Sequence, residues 1–225
     1  MKTTLFTIFA LTLSLSSFAS EPTGYYNQGF LKDGECLPPG GEGFTVIQLS
    51  QDVGHIFGTT EMIDMLEETA ADMQHKYPGR DRLQIEDIAQ EGGGDIDPHG
   101  SHENGLDADI QYFKADGRES MGKGYAASML NGDGSVSSNF DVERNWELMK
   151  SLNSHGKINM IFIDRNLSAR LIEYARETGD YNSNRALIQK FHHVDGHDDH
   201  LHVRLMCPAS AKSCHSTTVK KAGGA

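Results

Sequence analysis

Apolar residues recur along this chain at two periods, which divide it into helices and strands. Met62, Met65, Leu66, Met73 and Tyr77 stand at helical spacing with acidic residues between them, predicting a helix over residues 59–77. Thr59 or Thr60 caps its start, Glu61 suits the positive end of the dipole, and Pro78-Gly79 stops it. Val142, Trp146, Met149 and Leu152 predict a second helix over 141–154, with Gly156 just beyond its end. A third, capped by Asn166, runs through 178 with Leu167, Leu171, Tyr174 and Ala175 inward and Gly179 as its stop. Trp146 and Tyr174 therefore read as core residues, and a short helix is expected over 182–191.

Strands are expected over 44–49, 83–87, 106–113, 158–163 and 201–205. Two of them alternate cleanly. Leu106, Ala108, Ile110 and Tyr112 take one face of the third while Asp107, Asp109 and Gln111 take the other. In the last strand His200, His202 and Arg204 oppose Leu201, Val203 and Leu205. Helices mixed with short strands predict an α+β fold, a small central antiparallel sheet flanked by helices. One domain is expected over 44–215, preceded by an extended Gly/Pro-rich arm (20–43) and followed by a flexible tail (216–225). Residues 114–139 form a Gly/Ser-rich segment of weak pattern, long enough to be a lid or an insertion.

The ends and the charge narrow the setting. Lys2, the apolar run 5–15 and Ser17-Phe18-Ala19 predict a cleaved export signal over 1–19. The run is short of the roughly 20 residues that span a bilayer, and no later stretch reaches that length. The mature chain is expected in the periplasm or outside the cell, without a membrane anchor. Net charge is −12, or −13 once Lys2 is lost, which argues against nucleic acid as a partner. Of three cysteines, Cys207 and Cys214 straddle Pro208 and are expected to pair in an oxidising compartment, worth roughly 2–3 kcal/mol. Cys36 is then left over.

The candidate chemistry lies in two stretches. One is His99-Gly100-Ser101-His102-Glu103-Asn104-Gly105-Leu106-Asp107-Ala108-Asp109; the other is His197-x-x-His200-Leu201-His202. A catalytic zinc takes three protein ligands, nitrogen or carboxylate oxygen, and keeps a fourth position for water. His102 and Asp109, with six residues between them on a loop running into a strand, supply two; His202 supplies the third. His200, on the same strand face, reaches a water in the open position. The rival reading is a loose histidine-rich patch, since five of the eleven histidines fall between His192 and His202.

These two stretches resemble a known family. Ser101-His102-x-x-Gly105-Leu106-Asp107-Ala108-Asp109 with a distant His200-x-His202 looks like the lysostaphin/D-Ala-D-Ala-carboxypeptidase/hedgehog zinc group. The closer likeness is to the penicillin-insensitive murein endopeptidases. It is carried by His99 to Ile110 and by His197-x-x-His200-x-His202-Val203-Arg204-Leu205-x-Cys207-Pro208-Ala209, and it covers roughly residues 44–215. The resemblance implies one zinc on His102, Asp109 and His202. It makes His200 the base or transition-state stabiliser, with His197 and His99 nearby. The implied substrate is crosslinked bacterial peptidoglycan, cut at the D-alanyl–diaminopimelate bond. The implied indifference to penicillin has a physical reason: no serine nucleophile is there to be acylated. Some relatives bind a second metal through Asp-Gly-x-His; here Asp133-Gly134-Ser135-Val136 keeps the aspartate and lacks the histidine, so Asp133 is at most auxiliary.

Other residues carry more than one reading each. His99 orients His102, touches a second metal, or is a turn residue with no direct role. Asp107 shares the face of Asp109 and is either solvated or bonded to a backbone amide. Gln90 holds either substrate or the glycine turn, and His55 either rims the cleft or is structural. His75, His155 and His215 read as inert. Two rival functions remain: a DD-carboxypeptidase releasing terminal D-alanine, and a non-catalytic metal- or wall-binding protein.

Overall fold

A computed structural model describes residues 19–120 and 126–219. The export signal expected over 1–19 therefore falls, but for its last residue, outside the described residues, as does the tail from 220 on. The described residues open with a hairpin, β1 (Glu21–Tyr25) and β2 (Gln28–Lys32), then β3 (Glu35–Cys36), β4 (Gly40–Gly41) and β5 (Phe44–Val46). Next come α1 (Gln48–Val53), β6 (Phe57–Gly58), α2 (Thr60–Lys76), β7 (Leu83–Ile85) and β8 (Asp107–Gln111). The second half holds α3 (Val142–Ser154), β9 (Ile158–Ile163), α4 (Arg165–Glu177), α5 (Arg185–Ile188), β10 (Phe191–His193) and β11 (His200–Leu205).

The three long helices form where the helical period is sustained. Thr59 caps α2 by accepting from the Met62 amide, and Asp141 caps α3 by accepting from Arg144. The cap of α4 is Asp164, not Asn166: its carboxylate accepts from the amides of Asn166 and Leu167. Asp164 directly follows β9 in extended conformation, so the chain turns into the helix two residues early.

The sheet corrects the expectation of a small antiparallel one. Among the described residues it has seven strands in the order β10-β9-β11-β8-β7-β5-β4. Its middle is antiparallel, but β10 runs parallel to β9, and β5 parallel to β7. Parallel neighbours need a crossover long enough to carry the chain back. α4 and α5 supply one between β9 and β10; α1 and α2 supply the other between β5 and β7. The short helix expected over 182–191 shrinks to four residues because Phe191 already belongs to β10. The expected strand 44–49 ends at Val46, and α1 takes over from Gln48.

The core lies against the apolar face read from the alternation. Leu106, Ala108, Ile110, Leu201, Val203 and Leu205 are all buried and share one cluster with Trp146 and the inner faces of α2, α3 and α4. Tyr174 packs against that cluster half-buried. Met129, in the long segment before α3, is buried too, and its amide donates to Asp198 O at 2.7 Å. Among the described residues no helix is long and apolar enough to cross a membrane.

Cys207 and Cys214 form a disulfide with Cα atoms 5.8 Å apart, and Cys36 is a free, exposed thiol. Protein purified without reductant is expected to titrate one thiol per chain under denaturing conditions, and three after reduction. Three thiols before reduction would contradict the bridge.

Candidate metal centre

The site is built on the pairing of β8 with β11, whose register sets Asp109 opposite His202, Arg204 opposite Asp107 and His200 opposite Gln111. Paired residues project to the same side of a sheet, so the polar sets read from the two alternations become one surface. His102 is delivered to that surface by the loop before β8. Its backbone is left-handed, with φ 71°, which is costly for a residue with a Cβ. Its amide donates to Asp107 Oδ2 at 3.0 Å, and that bond helps fix the strained position. Gly105 is also left-handed and tightly enclosed: a Cβ there would lie 2.7 Å from Leu31 Cδ2 and 3.1 Å from the Thr59 amide.

Three ligand atoms converge. His102 Nε2 is 3.1 Å from His202 Nδ1 and 3.4 Å from Asp109 Oδ2; His202 Nδ1 is 3.0 Å from Asp109 Oδ1. Ligands at 2.0–2.1 Å in a tetrahedral shell stand roughly 3.3 Å from one another, so the spacing suits zinc. The proton inventory agrees. His102 Nδ1 is 2.7 Å from Ile88 O, which can only accept, so Nδ1 carries the hydrogen and Nε2 of the neutral ring keeps its lone pair. His202 Nε2 is 3.0 Å from Asp107 Oδ1 and donates to it, leaving Nδ1 to face inward. Asp109 Oδ1 is buried without a hydrogen-bond partner. Electron-rich atoms so placed call for one positive charge.

The titration of the same groups expresses that demand. Burial disfavours the charged form of His202, but Asp107 and then Asp109 outweigh it and raise its pKa. Burial would raise Asp109, but His102 and His202 hold it well below the usual carboxylate range. The residues present therefore fit a zinc ion.

Two further histidines flank the cluster. His99 Nε2 is 2.8 Å from Asp87 Oδ2, and its Nδ1 points at Asp109 Oδ2 from 3.5 Å, so His99, His102 and Asp109 also form a group able to hold a metal. His200 lies on the open side with Nε2 3.7 Å from Asp109 Oδ1, while its Nδ1 is 2.6 Å from Asp199 Oδ1. Burial lowers its pKa, but the Asp199 bond and the charges of Asp109 and Glu86 carry it up to about 9. The His197 ring is 5.0 Å from that of His200. Burial, then repulsion from His200 and His202, brings His197 down to about 4, so it is neutral at neutral pH. These side chains line a cavity of about 420 Å³, with Phe162 and Val194 as its apolar wall.

The other expected site residues lie elsewhere. Gln90 Nε2 donates to Gly93 O at 3.0 Å and Asp95 O at 3.3 Å, serving the glycine turn. His55 Nδ1 is 3.4 Å from Asp87 Oδ1, one residue removed from His99, and it does not line the cleft. Asp133 is spent on a surface turn with Ser135. Conversely, the anchoring residues Asp87 and Ile88 and the floor residue Glu86 were not legible as site residues. Asp107 had a visible signal, its place on the Asp109 face, and it does bond a backbone amide, though it is fully buried and bonded to His202 as well.

Glu86 has a consequence of its own. Oε1 accepts from Gln111 Nε2 at 2.7 Å, and Oε2 is buried without a partner. Burial pushes its carboxyl up to about 7, with Asp109 adding and His200 opposing. The folded state thus holds this proton more tightly than the unfolded chain, whose value is 4.5. Stability from this group is full at low pH and is lost as pH rises through the window from 4.5 to about 7, on the order of 3 kcal/mol. In chelator, Glu86→Gln should therefore lose less stability than the parent between about pH 5 and pH 8 in urea titrations; equal losses would contradict it.

The penicillin-insensitive murein endopeptidase family matches residues 22–225 of the chain. The penicillin-insensitive murein endopeptidase of Haemophilus influenzae is 31% identical over 216 residues, 91% of this chain and 70% of the relative. The protein of that name from Klebsiella pneumoniae subsp. pneumoniae is 25% identical over 234 residues, covering 95% and 81%. The one from Salmonella heidelberg is 23% identical over 214 residues, covering 91% and 73%.

Proposed function

Since the chain belongs to the penicillin-insensitive murein endopeptidase family, we propose that it is a zinc-dependent hydrolase of peptidoglycan that cuts the D-alanyl–diaminopimelate crosslink. The observation that carries the zinc half of this reading is the convergence of His102 Nε2, Asp109 and His202 Nδ1 with each histidine's other nitrogen already donating elsewhere. The substrate half rests on the family. An exported, periplasmic setting follows from that substrate and agrees with the disulfide.

His102, Asp109 and His202 are the proposed ligands. A zinc ion there supplies Lewis acidity, lowering the pKa of a coordinated water from about 15.7 to ~7 and polarising the scissile carbonyl. The remaining work belongs to the side chains. Ile88 O and Asp107 hold the two ligand rings in the right tautomer and orientation. His200, whose raised pKa keeps it protonated at neutral pH, faces the cleft with Nε2, would donate to the carbonyl oxygen as charge develops there, and would give its proton to the leaving amine nitrogen. Asp199 holds the opposite nitrogen at 2.6 Å and so aims the ring. His197, neutral beside it, offers a hydrogen-bonding partner without adding a second charge. Phe162 and Val194 keep water off one wall.

The products decide the bond. Purified protein with zinc should convert crosslinked muropeptide dimers to monomers by mass analysis. Release of free D-alanine with dimers left intact would overturn the endopeptidase assignment in favour of a carboxypeptidase.

A further inference from the structure

Behind the metal centre lies a buried arginine that the proposed chemistry leaves unused. Arg204 follows His202 by two on β11, so both leave the same face of the strand. Its Nε donates to Asp107 Oδ1 at 2.6 Å and its Nη2 to Asp107 Oδ2 at 3.0 Å. The same carboxylate accepts from His202 Nε2 and from the His102 amide, each at 3.0 Å. One buried carboxylate thus steadies two of the three proposed ligands, and Arg204 is its counter-charge. A planar fork matched to both oxygens also fixes the rotation of the carboxylate, which a point charge does not.

The arginine is itself clamped. Its guanidinium carbon is 4.2 Å from the centre of the Tyr26 ring and 4.8 Å from that of Phe162. Phe162 belongs to β9, paired with His202 across the sheet. Tyr26 belongs to none of the sheet strands; it sits in the turn of the β1–β2 hairpin, 179 residues before its partner Leu205, whose carbonyl accepts from the Tyr26 hydroxyl at 2.7 Å. The hairpin holds the other ligand segment as well. The Tyr26 carbonyl accepts from the Glu103 amide at 3.2 Å, and the Gly29 amide donates to Glu103 Oε2 at 3.1 Å. The approach is close enough that a Cβ on Gly29 would stand 3.0 Å from Asn104 Cβ. What the sequence suggests is an extended arm is therefore fastened both to the loop of His102 and to the strand of His202.

We propose that Tyr26 and Arg204 are positioning residues of the metal centre. Tyr26 presses the guanidinium against Phe162, the guanidinium fixes Asp107, and Asp107 presents His202 and His102 to the ion. The N-terminal hairpin is then part of the zinc site although none of its residues touches the metal. This rests on the zinc reading above. Partners of metal-bound histidines typically govern metal affinity by 10–100-fold, and the hairpin acts through such a partner.

The test is the rate at which the zinc-loaded full chain gives up its metal to an excess of chromogenic chelator. Tyr26→Leu keeps bulk and removes the ring; Tyr26→Phe restores the ring without the hydroxyl. Asn27→Ala loosens the same turn by cutting its bonds to Val219, at 2.8 and 2.9 Å, without touching Arg204. Tyr26→Leu should release zinc roughly 10–100-fold faster than the parent, with Tyr26→Phe and Asn27→Ala within about threefold of it. Arg204→Lys, which keeps charge and loses the fork, should match Tyr26→Leu and decides the matter if that variant does not fold. Release at the parental rate from Tyr26→Leu or Arg204→Lys would overturn the proposal, as would equal acceleration in Asn27→Ala. A parent chain that retains no zinc on gel filtration would overturn the zinc reading, and this proposal with it.

Discussion

His102→Asn is expected to leave the purified protein without stoichiometric zinc and without hydrolysis of crosslinked muropeptides. Asparagine is the informative replacement because residue 102 is left-handed, at φ 71°, a region asparagine tolerates better than alanine. The variant then removes the inward nitrogen without adding much backbone strain. The effect should be large. The ~10–16 kcal/mol of a structural zinc site is shared among three or four ligands, so losing one costs on the order of 10²–10⁴-fold in affinity. Zinc per chain after dialysis, read beside circular dichroism, checks this. A folded variant that kept one zinc per chain would remove His102 from the ligand set and move attention to His99, whose Nδ1 stands 3.5 Å from the same Asp109 oxygen.

His200→Ala separates the metal from the proton transfer. It should keep one zinc per chain, leave KM near the parental value, and lose kcat by roughly 10²–10⁴-fold, the worth of a positioned general acid–base group. The split follows from place: His200 stands across the opening with Nε2 3.7 Å from Asp109 Oδ1, while its other nitrogen is held by Asp199. Full activity in this variant would transfer the role to another group, the nearest candidate being His197, whose ring is 5.0 Å away.

How far the sequence reaches is set by how locally each feature is specified. α2 and α3 are long and periodic, with side-chain caps, and the chain pattern finds them almost to the residue. β9 is a continuous apolar run and is equally plain. β10 has three residues, too few to show a period, so its parallel pairing with β9 leaves no trace in the sequence; β5 and β7 read as strands, but nothing in either shows that they pair in parallel. The ligand face was legible because alternation on β8 and β11 sorts polar from apolar before any pairing is known. The register joining Asp109 to His202 was not, since it depends on partners far apart in the chain. The same holds for what fixes the ligands. Asp107, Asp87, Ile88 O and Tyr26 act through contacts that only the assembled sheet creates. Glu86 gives no signal at all, because a carboxylate in a short strand segment looks solvated until the segment is covered.

The most direct test of the central claim is a single digestion series on purified crosslinked muropeptide dimers, followed by chromatography. The chain as purified should yield monomers, the chelated chain none, and the chelated chain given back zinc should recover the original rate. Undiminished monomer formation by protein shown to be stripped of metal would contradict a zinc centre at His102, Asp109 and His202. Intact dimers after prolonged incubation with zinc would contradict the hydrolysis itself.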